Sequence, residues 1–224
     1  MNFDAITVGG GLAGSTFAAE LTRAGHQVLV LERETRFKDR VRGENMLPWG
    51  VAAARRLGLV NDLLAAGGHQ PPSWVTYMFC NPVASRDLRV TTPHGEASLN
   101  IYHPRMQEAL LERASSTGVE VKRGAKVVSL DAGPGRLPSV TFEHEGKRQT
   151  LSTRVVVGAD GRASQVRGWG GFEVKRNPDL LTIAGTLIQG TDVPDEAVHL
   201  VLGPGCATLL APLGGRGYIT STPG

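Results

Sequence analysis

The sequence predicts an α/β fold: a parallel-sheet domain interrupted by a β meander, followed by an incomplete, strand-rich second domain. Three observations predict it. The short apolar runs Phe3 to Val8, Val28 to Leu31 and Val155 to Val157 have the hydrophobicity of strands buried on both faces. Stretches with helical spacing lie between the first of these runs. After about Pro178 the chain changes to short strand-like runs parted by turn residues.

Phe3 to Val8 runs into Gly9-Gly10-Gly11, a strand meeting a tight turn. Leu12 to Ala24 follows as a helix with Phe17, Leu21 and Ala24 on one face, closed by Gly25. With Val28 to Leu31 these make a βαβ unit in about 30 residues. Arg33 to Leu47 is polar and reads as a loop. Pro48 to Ala66 reads as one helix, with Pro48 at its start and Gly67-Gly68 after its end. Val75 to Phe79, the stretch around Leu88 to Val90, and Ala97 to Ile101 read as antiparallel strands. Pro104 to Ser116 is helical, and Val119 to Val121 is a short parallel-type strand. Val127 to Leu130, Ser139 to His144 and Arg148 to Leu151 form a meander turned at Gly133 to Gly135. Strand-like segments then recur at Leu181 to Ile188, Ala197 to Leu202, Ala207 to Leu210 and Tyr218 to Thr220. The domains are drawn at 1–177 and 178–224.

Composition narrows the function. A chain of 224 residues with 41% hydrophobic residues can build a real core, which excludes a disordered tail. Net charge is +3 and aromatics make up 5%, so the basic, aromatic-studded face of a nucleic-acid binder is not expected. Cys80 and Cys206 have no Cys or His at ligand spacing and read as buried thiols of a reducing compartment. The first strand begins near Phe3, leaving no room for a signal peptide, and no apolar run approaches the roughly 18 residues that span a bilayer. A soluble, cytoplasmic protein without stable membrane insertion is expected.

The strongest local pattern is Gly9-x-Gly11-x-x-Gly14, set between a strand and a helix. Gly9 permits the turn, Gly11 lets backbone approach a pyrophosphate, and Gly14 allows close helix–strand packing. Leu12, Ala13 and Gly14 open the helix, where free N–H groups and the positive dipole end suit phosphates. Glu32 ends the second strand 18 positions beyond Gly14, close to the roughly 20 expected of a ribose-binding carboxylate. A carboxylate there repels a 2′-phosphate, which leaves FAD and NAD as occupants. The basic run Arg33 to Arg42 either attracts an anionic cofactor or is a solvated loop, since Glu34 and Asp39 offset part of its charge.

With Arg42-Gly43-Glu44, Arg105 in the helix 104–116, and Gly158-Ala159-Asp160-Gly161, the chain resembles the FAD-dependent monooxygenases of the para-hydroxybenzoate hydroxylase type over nearly its whole length. The resemblance implies a Rossmann-like FAD-binding domain. It places Arg42 near the flavin, Arg105 at the FAD phosphate or ribityl region, and Asp160 and Gly161 beside the cofactor. Guanidinium groups suit such roles because their planar fork binds phosphate bidentately. The cofactor-binding set is therefore Gly9, Gly11, Leu12, Ala13, Gly14, Glu32, Arg33, Arg42, Arg105, Asp160 and Gly161. No catalytic acid, base or metal ligand is assigned. His94, His103 and His144 pair with no nucleophile, and Gly-x-Ser-x-Gly is absent.

The family also carries a Gly-Asp motif after its substrate-domain sheet, and Gly190-Thr191-Asp192 has no helix behind it to serve as that motif. The expectation is an N-terminal fragment. For the intact parent the resemblance implies NADH or NADPH reducing FAD, then O₂ forming a flavin hydroperoxide that oxygenates an aromatic or polycyclic small molecule. The rivals are a flavin-dependent reductase of the geranylgeranyl-reductase type, a halogenase, a truncated non-catalytic nucleotide-binding fragment, and an NAD-dependent dehydrogenase. Trp49, Trp74 and Trp169 do not form the Trp-x-Trp-x-Ile-Pro stretch of tryptophan-type halogenases.

Overall fold

A computed structural model describes residues 3–39, 44–175, 183–190, 192, 194–214 and 216–223. In chain order the elements are β1 (Ala5–Val8), α1 (Leu12–Arg23), β2 (Val28–Glu32), β3 (Asn45–Met46), α2 (Pro48–Arg56), α3 (Val60–Ala65), β4 (Ser73–Met78) and β5 (Asn81–Asp87). There follow α4 (Leu88–Thr91), β6 (Leu99–Asn100), α5 (His103–Ser116), β7 (Glu120–Arg123), β8 (Lys126–Asp131), β9 (Ser139–His144), β10 (Lys147–Ser152), β11 (Val155–Gly158) and α6 (Gln165–Trp169). β12 (Ala184–Gln189), β13 (Ala197–Gly203), β14 (Cys206–Pro212) and β15 (Arg216–Pro223) complete the series. The chain divides into two compact units, 1–38 with 107–176 and 39–106 with 177–224. The stretch 39–106 groups with the C-terminal strands.

The first unit is built on a parallel sheet of order β11-β1-β2-β7. Alternation along β1 and β2 explains their unbroken apolar runs. Ile6, Val8, Leu29 and Leu31 face one side and pack with Ala125, Val127, Val140 and Phe142 of the meander region. Ala5, Val28 and Val30 face the other and pack with Ala18 and Ala19 of α1 and Leu111 and Ala114 of α5. Each face is covered by a different partner, so both are apolar apart from the buried Thr7. The expectation that Val155 to Val157 is buried on both faces is corrected: β11 is the sheet's edge strand and Val155 is exposed. The meander is antiparallel, of order β10-β9-β8. Its β9–β10 loop has two residues, Glu145 at φ 50° and Gly146 at φ 73°, both left-handed as a mirror-image hairpin turn requires.

In the second unit a six-stranded sheet of order β12-β15-β14-β13-β4-β5 gathers strands from both stretches of chain. β4 and β13 pair in parallel, Ser73 beside Ala197 and Met78 beside Leu202, and the remaining pairs are antiparallel. A two-stranded ribbon, β3 with β6, lies in the same unit.

Several sequence expectations are corrected here. The helix expected over 48–66 is two helices, because Gly58 adopts φ 65° and closes α2 at Leu57. Leu88–Thr91 is a helical turn and not a strand: Asp87 caps it by accepting from the Arg89 N–H, and the strand instead occupies Asn81–Asp87. Cys80 and Cys206 are exposed rather than buried, since both sit at strand-end turns of the six-stranded sheet.

Glu145 is strained by about 1–2 kcal/mol in its left-handed conformation. Glu145→Asn is therefore expected to raise stability by up to about 1 kcal/mol, measured as a higher urea midpoint at unchanged m. In the second unit, Arg55 donates two hydrogen bonds to Glu96, which hold its carboxyl below the usual carboxylate range. That contribution is present at neutral pH and lost as pH falls through the lowered value. With Arg55 half-exposed it is worth at most about 1 kcal/mol, so the stability gap between wild type and Glu96→Gln should be small and vanish in acid.

Candidate nucleotide-binding site

In the first unit, β1 ends in a turn that cannot carry side chains. Gly9 adopts φ 101°, and a Cβ there would lie 2.4 Å from the Ala159 carbonyl oxygen. The Gly9 N–H donates to the Leu31 carbonyl at 2.9 Å and the Ala159 N–H donates to the Val8 carbonyl at 2.8 Å. The glycine turn after β1 and the Gly-Ala-Asp-Gly turn after β11 are thus locked against each other at one end of the sheet. Gly14 is required by packing too, because its Cβ would fall 1.9 Å from the Gly9 carbonyl oxygen. The buried small residues Ser15, Ala18 and Ala19 continue this close approach of α1 to the sheet.

Gly11 differs from both. It is the N-cap of α1, extended at φ −71° and ψ −170°, and a Cβ there would meet only the Gln107 side-chain amide at 3.5 Å. Ordinary contact at that distance leaves room for a side chain, so nothing among the described residues demands a glycine here. No side chain caps α1, and its first turn has no acidic residue. The N–H groups of Leu12, Ala13 and Gly14 therefore have no partner within the helix, and the dipole's positive end is unneutralised. An anion lying against this backbone explains both features.

Glu32 lies at the end of β2 and is buried. One carboxylate oxygen accepts the Gly10 N–H at 2.6 Å, and the other accepts the Glu34 N–H at 2.7 Å. Each oxygen keeps acceptor capacity, which is the arrangement a pair of ribose hydroxyls would use. Asp160 splits its two oxygens. Oδ2 accepts from the Gln165 and Val166 N–H groups and fixes the start of α6, while Oδ1 is buried without a partner among the described residues. A buried carboxylate oxygen left unpaired is costly and marks a place for an external donor. Gly161 follows at φ 85°. Arg167 does not hold Asp160; its guanidinium donates to the Arg162 carbonyl.

The basic residues are less concentrated than their sequence suggests. Arg33 is exposed and pairs with Glu34 at 3.5 Å, and Lys38 pairs with the same carboxylate at 3.4 Å. Phe37 anchors this loop: its N–H donates to Glu108, and Arg123 lies 5.1 Å over its ring while paired to Glu108. Arg42 lies outside the described residues. Arg105 is exposed on the first turn of α5, in the second unit. Sequence reasoning missed Gln107, whose amide reaches the Gly11 turn; a glutamine on a helix face gives no signal in one sequence.

A glycine turn, an uncapped helix start and a ribose-ready carboxylate define a dinucleotide-binding unit. The comparisons specify the dinucleotide. A family model described as FAD binding domain matches residues 2–207, and the chain belongs to that family. Digeranylgeranylglycerophospholipid reductase of Methanosarcina mazei is 25% identical over 224 residues, covering 95% of this chain and 52% of the relative. Rifampicin monooxygenase of Streptomyces venezuelae is 33% identical over 165 residues, 74% of this chain and 33% of the relative. Among solved structures, PqsL of Pseudomonas aeruginosa, described as a probable FAD-dependent monooxygenase, has TM-score 0.80 at 22% identity. It covers 98% of this chain, which spans 60% of it. The chain spans about half the length of the first-ranked curated relative, and less of others. No helix among the described residues is long and apolar enough to cross a membrane.

Two glycine substitutions separate packing from ligand approach. Gly14→Ala should prevent folding of the first unit, because the clash at 1.9 Å is with backbone. Gly11→Ala should leave the circular dichroism spectrum and urea midpoint unchanged and weaken FAD binding at least tenfold in a flavin-fluorescence titration.

Proposed function

We propose that this chain carries the FAD-binding part of an NAD(P)H-dependent monooxygenase acting on an organic small molecule. The observation that supports the reading most directly is the convergence at one end of the parallel sheet. The open helix start of α1, Glu32 with free acceptor capacity, and the unpaired Oδ1 of Asp160 all belong to turns that the Gly9–Ala159 crossing holds together.

The residues present fit FAD. The N–H groups of Leu12, Ala13 and Gly14 would take the pyrophosphate, and Gly11 would let it approach. Glu32 would accept from the adenosine ribose, and Asp160 Oδ1 from a ribityl hydroxyl. Bound FAD would supply the redox chemistry, passing electrons from a nicotinamide to O₂ and one oxygen atom to the substrate. This chain's own part is to bind, orient and shield from water, which matches the absence of an assigned acid–base pair. Arg42 and Arg105 are proposed to serve cofactor handling, and the six-stranded sheet of the second unit to bear the substrate.

The name of the rifampicin monooxygenase relative supports oxygen insertion. A second reading, a flavin-dependent reductase, is favoured by the digeranylgeranylglycerophospholipid reductase, whose alignment covers 95% of this chain. The two diverge in their use of oxygen. A monooxygenase consumes O₂ as it oxidises NADH or NADPH in the presence of substrate, and a reductase saturates its substrate under anaerobic conditions.

The purified chain is expected to take up FAD and show flavin absorbance, with Glu32→Ala losing at least tenfold in affinity. In the intact parent protein, oxygen-electrode traces should then show nicotinamide oxidation matched by O₂ uptake. A colourless protein that takes up no FAD would sink the reading, and nicotinamide oxidation coupled to substrate without oxygen would replace it with the reductase.

A further inference from the structure

The registers of the six-stranded sheet bring one end of every strand to a common rim. β4 ends there at Met78 and β5 begins at Asn81; β13 ends at Gly203, β14 begins at Cys206 and β15 ends at Pro223. Ile183 stands just before β12 at the same rim, since Ala184 pairs with Ser221. The β4–β5 turn is held against β13 by the Phe79 N–H, which donates to the Leu202 carbonyl at 2.8 Å. Asn100 ties the sheet to the β3–β6 ribbon at the opposite end, through the Pro212 carbonyl.

This rim is apolar and uncharged. Met78, Phe79, Val83, Ile183 and Val201 are large apolar residues exposed at or near it. The stretches 73–85, 183–189, 197–212 and 217–223 contain no Lys, Arg, Asp or Glu. The charged residues of the six strands, Arg86, Asp87 and Arg216, pair at the far end, beside Trp74, Ser73 and Gln189. Phe79 is the sharpest case. Its φ is 54°, a left-handed conformation that strains a bulky residue, and it is 56% exposed. Packing returns little to a ring so open to water, although glycine or asparagine would relieve the turn.

We propose that this rim dips into the surface of a zwitterionic lipid layer, as a reversible peripheral contact. Alternation puts Met78 on the Trp74 face of the sheet and Val201 on the other, beside Tyr77. A protein partner packs over one face, whereas a fluid apolar layer takes in both at once. The uncharged rim matches a layer without net charge, and an aromatic ring at the turn suits the headgroup boundary. Removal of these side chains from water drives the contact, and with no cation at the rim salt has nothing to screen.

The test is co-sedimentation of the chain with sucrose-loaded phosphatidylcholine vesicles. The chain is expected to sediment with them, and equally well as salt is raised. Phe79→Asn supplies a residue suited to the left-handed turn, so it should keep the circular dichroism spectrum while weakening partition about tenfold. Val90→Ser, which removes an exposed apolar side chain from α4 beyond the far end of β5, should bind as wild type does. An environment-sensitive dye on Cys80 and Cys206, both exposed at the rim, should shift to the blue when vesicles are added. The proposal is overturned if the chain stays in the supernatant, if only vesicles with anionic lipid bind it, if salt releases it, or if Val90→Ser weakens partition as much as Phe79→Asn. It is overturned equally if the rim joins two copies, seen as a dimer in sedimentation velocity that Phe79→Asn dissolves, without vesicle binding.

Discussion

The first unit depends on one close crossing, where the turn after β1 passes the turn after β11 with Gly9 against the Ala159 carbonyl. Two short backbone hydrogen bonds hold it, from Gly9 to Leu31 and from Ala159 to Val8. These bonds extend the parallel ladder one residue past the strands on either side, so the sheet ends in ordered turns. Everything placed at that end inherits the precision of the ladder. Glu32 is positioned by β2 and tied to Gly10; Asp160 is positioned by β11 and tied to α6. A side chain at Gly9 would push the two turns apart and separate the Glu32 and Asp160 carboxylates.

The fold was legible where local pattern and burial agree. β1 and β2 are apolar save for the buried Thr7 and Glu32 because the meander covers one face of their sheet and helices the other. β11 carries the same apolar pattern without that burial, as the edge strand with Val155 exposed. The pattern failed where a single residue overrode it. Gly58 split a periodic stretch into α2 and α3, and Asp87 turned a strand-like sequence into a capped helical turn. The grouping of β4 and β5 with β12 to β15 was invisible, because strand pairing across more than a hundred residues leaves no mark on either partner's sequence.

The candidate site was legible in kind and less so in role. Glycine, glutamate and aspartate at those positions announce a nucleotide, since their spacing encodes turn, helix start and strand end. The sequence does not reveal that Gly9 and Gly14 are demanded by the protein's own backbone while Gly11 is not. Nor does it show that Asp160 spends one oxygen on α6 and leaves the other over. Arg33 was attractive as a neighbour of Glu32, yet its guanidinium turns to Glu34 at the surface. Charge next to a site in sequence does not place charge in it.

The parallel pairing of β4 with β13 also bears on how the chain is made. Tyr77 and His199, hydrogen-bonded across that pair, are separated by 122 residues. Closing so long a loop costs entropy before any contact rewards it, so the pairing forms late. During synthesis the β4–β5 hairpin emerges well before its partner exists, and residues 107–176 of the first unit are made in between. For that interval the Trp74–Met78 strand exposes an unpaired, uncharged backbone edge, the form most prone to pairing with another chain. That edge stays open until β13 arrives.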